Sequence, residues 1–426
     1  MGLLLLCALF VLCVVIGMPV AFALGVAAVS VFFYEGLPMM IAFQRIVSGI
    51  NIFSLLAIPF FIYAGELMFH GGIAIRLVRF ASSAVGYVRG GLGIVNVFSS
   101  MLFGGISGSA IADISALGSI LIPVMKEKGY DDDYAVNVTV TSSLAGIIIP
   151  PSHNMILYAV AAGGGLSISK LFLAGFIPGV LMCVCLAAVA YAVAVKRGYS
   201  SEPFPGLRVL IIQFFIALPG LVTAIIIVGG VLTGVFTVTE SGAFGAIYAF
   251  LVTIIVYRSM TWEKFKIAVR NSVKTTAMVM ILIACTGAFA YLLTFYQVPT
   301  KLSELLLRIS ENPVIILLMI NLMLLFLGMI MDMAALILIC TPIFLPIAVS
   351  IGIDPYQFGM ILMMNLGLGL CTPPVGSCLF VGCAVGNVRL EDAVKTIWPF
   401  YLAILIALML VSFVPSLSLT LPRLLG

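Results

Sequence analysis

Two carboxylates stand alone in long apolar stretches of this chain. Asp113 is the only charged side chain between Arg89 and Lys126, and Asp332 the only one between Glu311 and Asp354. Each lies near glycines and polar residues, in "FGGISGSAIAD" (103–113) and "LGMIMDMAAL" (327–336). A carboxylate at membrane depth stays charged where a cation sits beside it, and such acids are functional suspects by default. The competing reading is a cap on the helix that follows. Ser107, Ser109 and Ser115 bring hydroxyl oxygens beside Asp113, and Thr341 and Thr372 supply them in the second region. For any one of these hydroxyls, a bond to the carbonyl one turn back is the bland alternative to cation binding.

Two proline pairs mark the other candidate positions, in "GIIIPPSHNM" (146–155) and "GLCTPPVGSC" (369–378). Proline lacks an N–H and collides with the carbonyl four residues back, so each pair splits an apolar span into two half-helices. The expected halves lie near 133–146 and 151–163, and again near 356–369 and 374–386. Carbonyls at Gly146 to Ile149 and Gly369 to Thr372 lose their helical partners, which is costly in hydrocarbon unless something replaces them. A bound cation and a facing hairpin tip both serve. The half-helix starting after each break offers free N–H groups and a positive dipole end to an anion. His153 opens one such half-helix, where a satisfied interior histidine, a substrate contact and a proton-coupling group all remain open.

The elements that hold these residues are set by the solvent. The 426 residues are 63% hydrophobic and 8% charged, with a mean hydropathy of +1.30, outside the range of a water-soluble core and surface. Apolar runs of roughly 20 residues recur throughout, which predicts an all-α polytopic membrane protein. Residues 1–34 read as a first span that is kept, not a cleaved signal peptide. The net charge of +4 comes from basic residues in a few short loops, so nucleic acid is not an expected partner. Nine scattered cysteines without metal-ligand spacing read as small hydrophobes.

Shifting the sequence against itself by 223 positions matches Gly105 with Gly328, Pro123 with Pro346, Gly129 with Gly352 and Asp131 with Asp354. The same shift matches Gly146 with Gly369, both proline pairs, and Gly163 with Gly386. Matches in register predict a duplicated unit. Basic residues then set its orientation. Arg76, Arg79 and Arg89 make the 71–91 loop cytoplasmic, whereas its equivalent at 299–312 mixes Lys301 and Arg308 with Glu304 and Glu311. With 92–126 and 313–349 as re-entrant hairpins, the two copies become inverted repeats, the N-terminus cytoplasmic and the C-terminus periplasmic. Asp131, Asp132 and Asp133 sit oddly in a loop placed inside. Glu240 is expected at the start of a span, where an acid suits the helix dipole, and Glu66 at a subunit contact.

"GGISGSAIADISALGSILIPVM" (104–125), "GIIIPPS" (146–152), "FTVTESGAFGAIYA" (236–249) and "GLCTPPVG" (369–376) resemble the large membrane subunit of the tripartite ATP-independent periplasmic (TRAP) transporters. The likeness covers essentially the whole chain. It implies a Na⁺-driven secondary importer of an organic acid in the bacterial inner membrane, with Na⁺ as coupling ion and no other cofactor. It also implies an elevator, a transport domain moving past a scaffold. The partners implied are a small membrane subunit on a separate chain and a periplasmic substrate-binding protein. The division expected is 1–70 scaffold, 71–91 basic connector, 92–166 first transport half, 167–312 scaffold and connectors, 313–388 second transport half, and 389–426 a C-terminal helix. Carried over, Na⁺ falls to Ser107, Gly108, Ser109, Asp113, Gly146, Ile149 and Pro150, and to Gly328, Asp332, Gly369, Thr372 and Pro373. Substrate falls to Ser107, Ser152, His153, Asn154, Thr372, Gly376 and Ser377. Sialic acid is the favoured cargo, C4-dicarboxylate the next.

A different class competes. "GISG" (105–108) fits the G-x-S-G pattern of intramembrane serine proteases, with Ser107 as nucleophile and His153 as base. At the 223 shift these positions become Ile330 and Gly376, so the duplication keeps backbone breaks and not a dyad. A passive channel conflicts with two closed hairpins.

Overall fold

The structure, a computed structural model, describes residues 1–425 apart from the Ile106 side chain. All regular elements among them are helices. Six are long and apolar enough to cross a membrane, or up to eight if two bent pairs count as one span each. The chain is an all-α, multi-pass membrane protein.

It opens with α1 (Gly2–Val15), α2 (Val20–Tyr34), α3 (Met39–Ile50), α4 (Ala57–His70) and the amphipathic α5 (Ile73–Val85). Next come α6 (Gly91–Ser107), α7 (Ala110–Asp113) and, after a π-helical turn at Ile114–Gly118, α8 (Ser119–Glu127). The first broken span is α9 (Asp132–Ser142), α10 (Ala145–Ile148) and α11 (His153–Ala161), followed by α12 (Ile168–Arg197). The series then begins again, with α13 (Leu207–Leu232), α14 (Val238–Leu251), α15 (Trp262–Phe295) and the amphipathic α16 (Val298–Ile309). A second hairpin, α17 (Pro313–Gly328) and α18 (Met333–Ser350), leads to a second broken span, α19 (Pro355–Leu370) and α20 (Ser377–Gly386). The chain closes with α21 (Leu390–Thr396), α22 (Trp398–Phe413) and α23 (Ser416–Leu425). Both Pro–Pro bonds are cis.

Local chemistry starts and stops these helices where expected. Asn312, Asp332 and Asp354 cap α17, α18 and α19, each accepting the N–H two residues on at 2.8 to 2.9 Å. Thr237 and Glu240 form a reciprocal capping box on α14, which is the end-of-span role expected of Glu240. Gly198, left-handed at φ +77°, ends α12.

Packing sorts the helices into two sets. In one, α15 lies against α2, α3 and α4, α14 against α4, and α13 against α5 and α14. In the other, α12 runs along α6, α22 and α23, while α19 packs on α17, α18 and α22. The stretch expected to join the scaffold after residue 166 therefore contains a helix, α12, that packs mainly on the C-terminal α22 and α23 and on the first hairpin limb α6. The two hairpin-and-broken-span halves also interlock. α11 packs on α18, and α20 packs on the Ile114–Gly118 turn and α8, so each second half-helix rests on the other copy's hairpin.

Both ends of the first hairpin are tied to one stretch. The Gly90 N–H donates to the Ser200 carbonyl at 3.3 Å, and Lys128 pairs with Glu202 at 2.9 Å. Residues 91–127 thus enter and leave at the same end. The three aspartates there are neutralised: Arg197 reaches Asp131 and, with both guanidinium nitrogens, Asp133, at 2.7 to 2.8 Å, and Lys126 pairs with Asp132 at 2.9 Å. Tyr199 donates to Asp131 at 2.7 Å, and burial together with that bond pushes its hydroxyl pKa up to about 12.

Two expectations fail. Residues 1–34 are not one span, because Gly17 at φ +89° and Pro19 turn the chain and α1 packs back on α2. A Cβ added at Gly2 would stand 2.0 Å from the Tyr296 hydroxyl and 2.1 Å from Glu35 Oε1, so the N-terminus lies at the far end of α15 from Trp262. Residues 389–425 are three helices where one was expected, interrupted at Ile397–Trp398 by a 56° bend and again before Ser416. The last residue of that stretch, Gly426, lies outside the described residues.

Arg197→Ala leaves Asp131 and Asp133 without their counter-charge at that end. It should lower unfolding stability by about 1–2 kcal/mol, less than a fully buried pair because the site is part-exposed. Arg197→Lys should recover only part, lacking the two-pronged contact. Thermal unfolding in detergent reads both.

Candidate functional site

Each hairpin tip lies on the break of its own copy through glycine. In the first copy a Cβ built on Gly104 would stand 2.6 Å from the Gly146 Cα, and one on Gly105 would stand 3.1 Å from the Pro150 carbonyl oxygen. In the second, a Cβ on Gly369 would stand 2.6 Å from the Gly328 Cα. Only glycine permits such main-chain contact, as at close helix crossings in membranes. Gly146 and Gly369 match at the 223 shift, while their partners differ by one residue in register, since Gly328 matches Gly105.

At the first junction α6 stops at Ser107 and the chain turns through left-handed Gly108, φ +63°, into extended Ser109, which caps α7. Pro150 and Pro151 have no N–H, so the Gly146 and Ile147 carbonyls cannot receive the usual bond from four residues on. A Cβ at Gly146 would sit 3.5 Å from Ser107 Oγ and 3.6 Å from the Ser109 carbonyl oxygen. Gly108 in turn faces the Pro151 carbonyl and His153 Nδ1, each 3.3 Å from its built Cβ. Ser107, Gly108, Ser109, Gly146, Pro150 and His153 are therefore gathered in one place. Ser107 Oγ donates to the Ser109 carbonyl at 3.4 Å, and no Ser107–His153 bond forms, so the proteolytic dyad lacks its defining contact.

Asp113 sits one turn into the second limb, fully buried, and neither carboxylate oxygen has a hydrogen-bond partner. That is an acceptor-only group with nothing to accept, the arrangement a cation resolves. Ser115 takes the bland role, donating to the Ile111 carbonyl at 2.8 Å. Ile149 is extended and buried at the end of the break.

The second junction is built differently. Asp332 is exposed and caps α18 through the Ala334 N–H at 2.9 Å, so there the helix-cap reading holds. The Gly369 carbonyl is reused by the Thr372 N–H at 2.9 Å, because a tight turn supplies the donor that Pro373 cannot. Thr372 Oγ1 donates to the Leu368 carbonyl at 2.8 Å. The Val375 N–H reaches across to the Met329 carbonyl at 3.1 Å, a direct main-chain tie between break and tip. Thr341 is fully buried with an unpartnered hydroxyl.

The expected substrate residues flank the two half-helix N-termini. Ser152 is fully buried with its hydroxyl unpartnered, Asn154 is 5% exposed, and the Ser377 hydroxyl is unpartnered after left-handed Gly376, φ +46°. No group of three His, Cys, Asp or Glu gathers among the described residues, so the donors at both junctions are hydroxyls, carbonyls and the occasional carboxylate. A solvent-open cleft of about 470 Å³ lies elsewhere, between Asp132 and Arg389.

Sequence reasoning missed Tyr401, which bonds the Cys371 carbonyl just before the second break. Glu66, expected at a subunit contact, pairs inside the chain with His70 and Asn271 at 3.3 and 3.2 Å. It also missed two buried amide contacts, of Asn96 and Asn321. An amide inside an apolar span was the available signal.

The family model described as "Tripartite ATP-independent periplasmic transporter, DctM component" matches residues 6–417. The sialic acid TRAP transporter large permease protein SiaM of Vibrio cholerae is 38% identical, over 96% of this chain and 95% of its own. The C4-dicarboxylate TRAP transporter large permease protein DctM of Rhodobacter capsulatus is 34% identical, over 96% of each. Among solved structures, the YdaH transporter of Alcanivorax borkumensis superposes with a TM-score of 0.64 at 14% identity, over 88% of each chain, a likeness of fold alone.

Gly104→Val inserts a branched side chain into main chain at both tip and break. It should cost about 1–3 kcal/mol in thermal stability and abolish uptake. Gly165→Ala, with open space around its Cβ, should stay within about 0.5 kcal/mol and keep uptake.

Proposed function

The chain belongs to the tripartite ATP-independent periplasmic transporter family, as its DctM component, and from that premise we propose that it imports an organic acid anion together with Na⁺ by an elevator movement. Members of this family are secondary transporters of organic acids, and the chain is a membrane-spanning permease, not an enzyme. The observation that carries the finer reading is the pair of junctions, each a hairpin tip in glycine contact with a Pro–Pro break. At such a junction stripped carbonyls and hydroxyls converge at membrane depth, the donor set that suits Na⁺.

One ion lies between Ser107–Asp113 and Gly146–Pro150, the other between Gly328–Asp332 and Gly369–Pro373. Asp113 supplies a full negative charge only to the first, so the two differ in strength. The substrate carboxylate is held by the N-termini of α11 and α20 with Ser107, Ser152, His153, Asn154, Thr372, Gly376 and Ser377, since no arginine stands at either tip. The named cargoes of the two relatives, sialic acid and C4-dicarboxylates, share that carboxylate. A separate small membrane subunit and a periplasmic binding protein complete the transporter.

Hairpins, broken spans, α12 and the C-terminal α21, α22 and α23 travel as one block, because they pack chiefly on one another. The remaining helices are the scaffold, with α5 and α16 bracing the hairpins at α6 and α18. Interlocking of the copies supports an inverted repeat. The basic loops gather at the end holding Gly71, Lys126, Arg197 and Ser259, which we assign to the cytoplasm. The N-terminus then faces the periplasm beside Glu35 and Tyr296, which reverses the orientation expected when residues 1–34 were one span. Each inward Na⁺ contributes about 2.3 kcal/mol per 100 mV of membrane potential, so two ions outweigh the electrical cost of a monoanion and balance that of a dicarboxylate, for which the Na⁺ gradient does the driving.

Proteoliposomes holding this chain, its small subunit and the binding protein should take up sialic acid or a C4-dicarboxylate steeply with external Na⁺. Uptake that persists undiminished without Na⁺ removes the coupled reading. In intact cells a cysteine placed before Gly2 should react with an impermeant maleimide from outside; labelling only after permeabilisation reverses the orientation.

A further inference from the structure

Two buried asparagine bridges sit at equivalent places in the two copies. In the first, Asn96 of α6 donates to Thr139 Oγ1 of α9 at 2.6 Å and accepts from Ser142 Oγ at 3.2 Å, and Ser142 also contacts Ser100 at 3.1 Å. In the second, Asn365 of α19 donates to Asn321 Oδ1 of α17 at 2.5 Å, and Asn321 donates on to Ser412 of α22 at 3.3 Å. Asn365 matches Ser142 at the 223 shift. All these residues are at most 4% exposed. Each bridge joins the first limb of a hairpin to the first half of its broken span.

The spacing to the junctions is also shared. Asn96 precedes Gly104 by eight residues and Asn321 precedes Gly328 by seven, about 12 and 10 Å along the helix. Ser142 and Asn365 each precede the partner glycine by four residues, about 6 Å. A Gly–Gly crossing has no side chains to interdigitate, so it permits sliding and rotation of one helix on the other. Directional bonds one to two turns away are what hold its register, and in hydrocarbon an amide has few other partners to exchange for them.

We infer that Asn96 and the Asn321–Asn365 pair are positioning residues, one bridge for each ion site, locking hairpin to broken span so that the stripped carbonyls and the tip hydroxyls keep coordination distance. The inference rests on the Na⁺-coupled reading above. It assigns the bridges an effect on ion affinity that a purely stabilising contact lacks. Loosening a bridge makes each ion re-form the site as it binds, which raises the Na⁺ concentration needed while leaving the maximal rate largely in place.

The test is uptake against Na⁺ concentration in proteoliposomes containing the small subunit and binding protein, normalised to folded transporter. Asn96→Leu and Asn365→Leu should each raise the half-saturating Na⁺ concentration about tenfold, with the maximal rate falling less than about threefold. Asn365→Ser, which installs what the first copy carries at that place, should stay within about threefold of the unaltered protein. Where either leucine variant fails to fold, Ser142→Ala and Asn321→Ala, which remove one partner each, carry the test with an expected three- to fivefold shift. Na⁺-dependent uptake in which the half-saturating concentration stays within about twofold across these variants, whatever their thermal stability, overturns the inference alone. Uptake by the unaltered protein that ignores Na⁺ overturns it together with the coupled reading.

Discussion

Main-chain carbonyls that lose their helical donors inside a membrane are the constraint on which this fold depends. Pro150–Pro151 and Pro373–Pro374 create them, since proline has no N–H to give to the residue four positions back. Water is absent at that depth, so the protein must bring replacements from elsewhere in the chain. The requirement accounts for the hairpins. Each ends in a tip whose glycines let its backbone reach the break, Gly104 on Gly146 and Gly328 on Gly369.

The two solutions are related but not identical, and the difference has chemical content. In the second copy a turn through Thr372 and the Val375–Met329 bond restore much of the lost bonding, and Asp332 is occupied as a cap. In the first, the break retains fewer internal donors and the neighbouring Asp113 is buried without a partner. The first junction is therefore the more demanding of a cation and the second the more nearly satisfied by protein. α11 rests on the second hairpin and α20 on the first, so each break is braced by the hairpin of the other half.

Much of this was legible in the sequence, for reasons that explain the rest. Proline pairs, glycines and isolated acids act locally on the backbone, so the breaks and the hairpin tips could be placed from residue types and a single shift. The turn at Gly17–Pro19 could not, because α1 and α2 are apolar throughout and hydropathy is blind to direction. The packing of α12 on α6, α22 and α23 was hidden because lipid-facing and protein-facing sides of such a helix have the same polarity. Asp131, Asp132 and Asp133 looked misplaced until Arg197, 64 to 66 residues away, was found to hold two of them. Asp113 and Asp332 do not match at the 223 shift, where Asp332 falls opposite Ser109, and the structure gives the reason: Asp332 and Ser109 both cap the second hairpin limb, while Asp113 lies beyond its cap.

The central claim is that both junctions hold a cation. Thallium(I), a Na⁺ surrogate with strong anomalous scattering, diffused into crystals of the complex tests it most directly. The account predicts two anomalous peaks per chain, one within coordination reach of Ser107 and the Gly146–Ile149 carbonyls and one beside Gly328 and Gly369–Thr372, the first the stronger. Peaks confined to other parts of the chain, or none at either break under conditions that support uptake, contradict it.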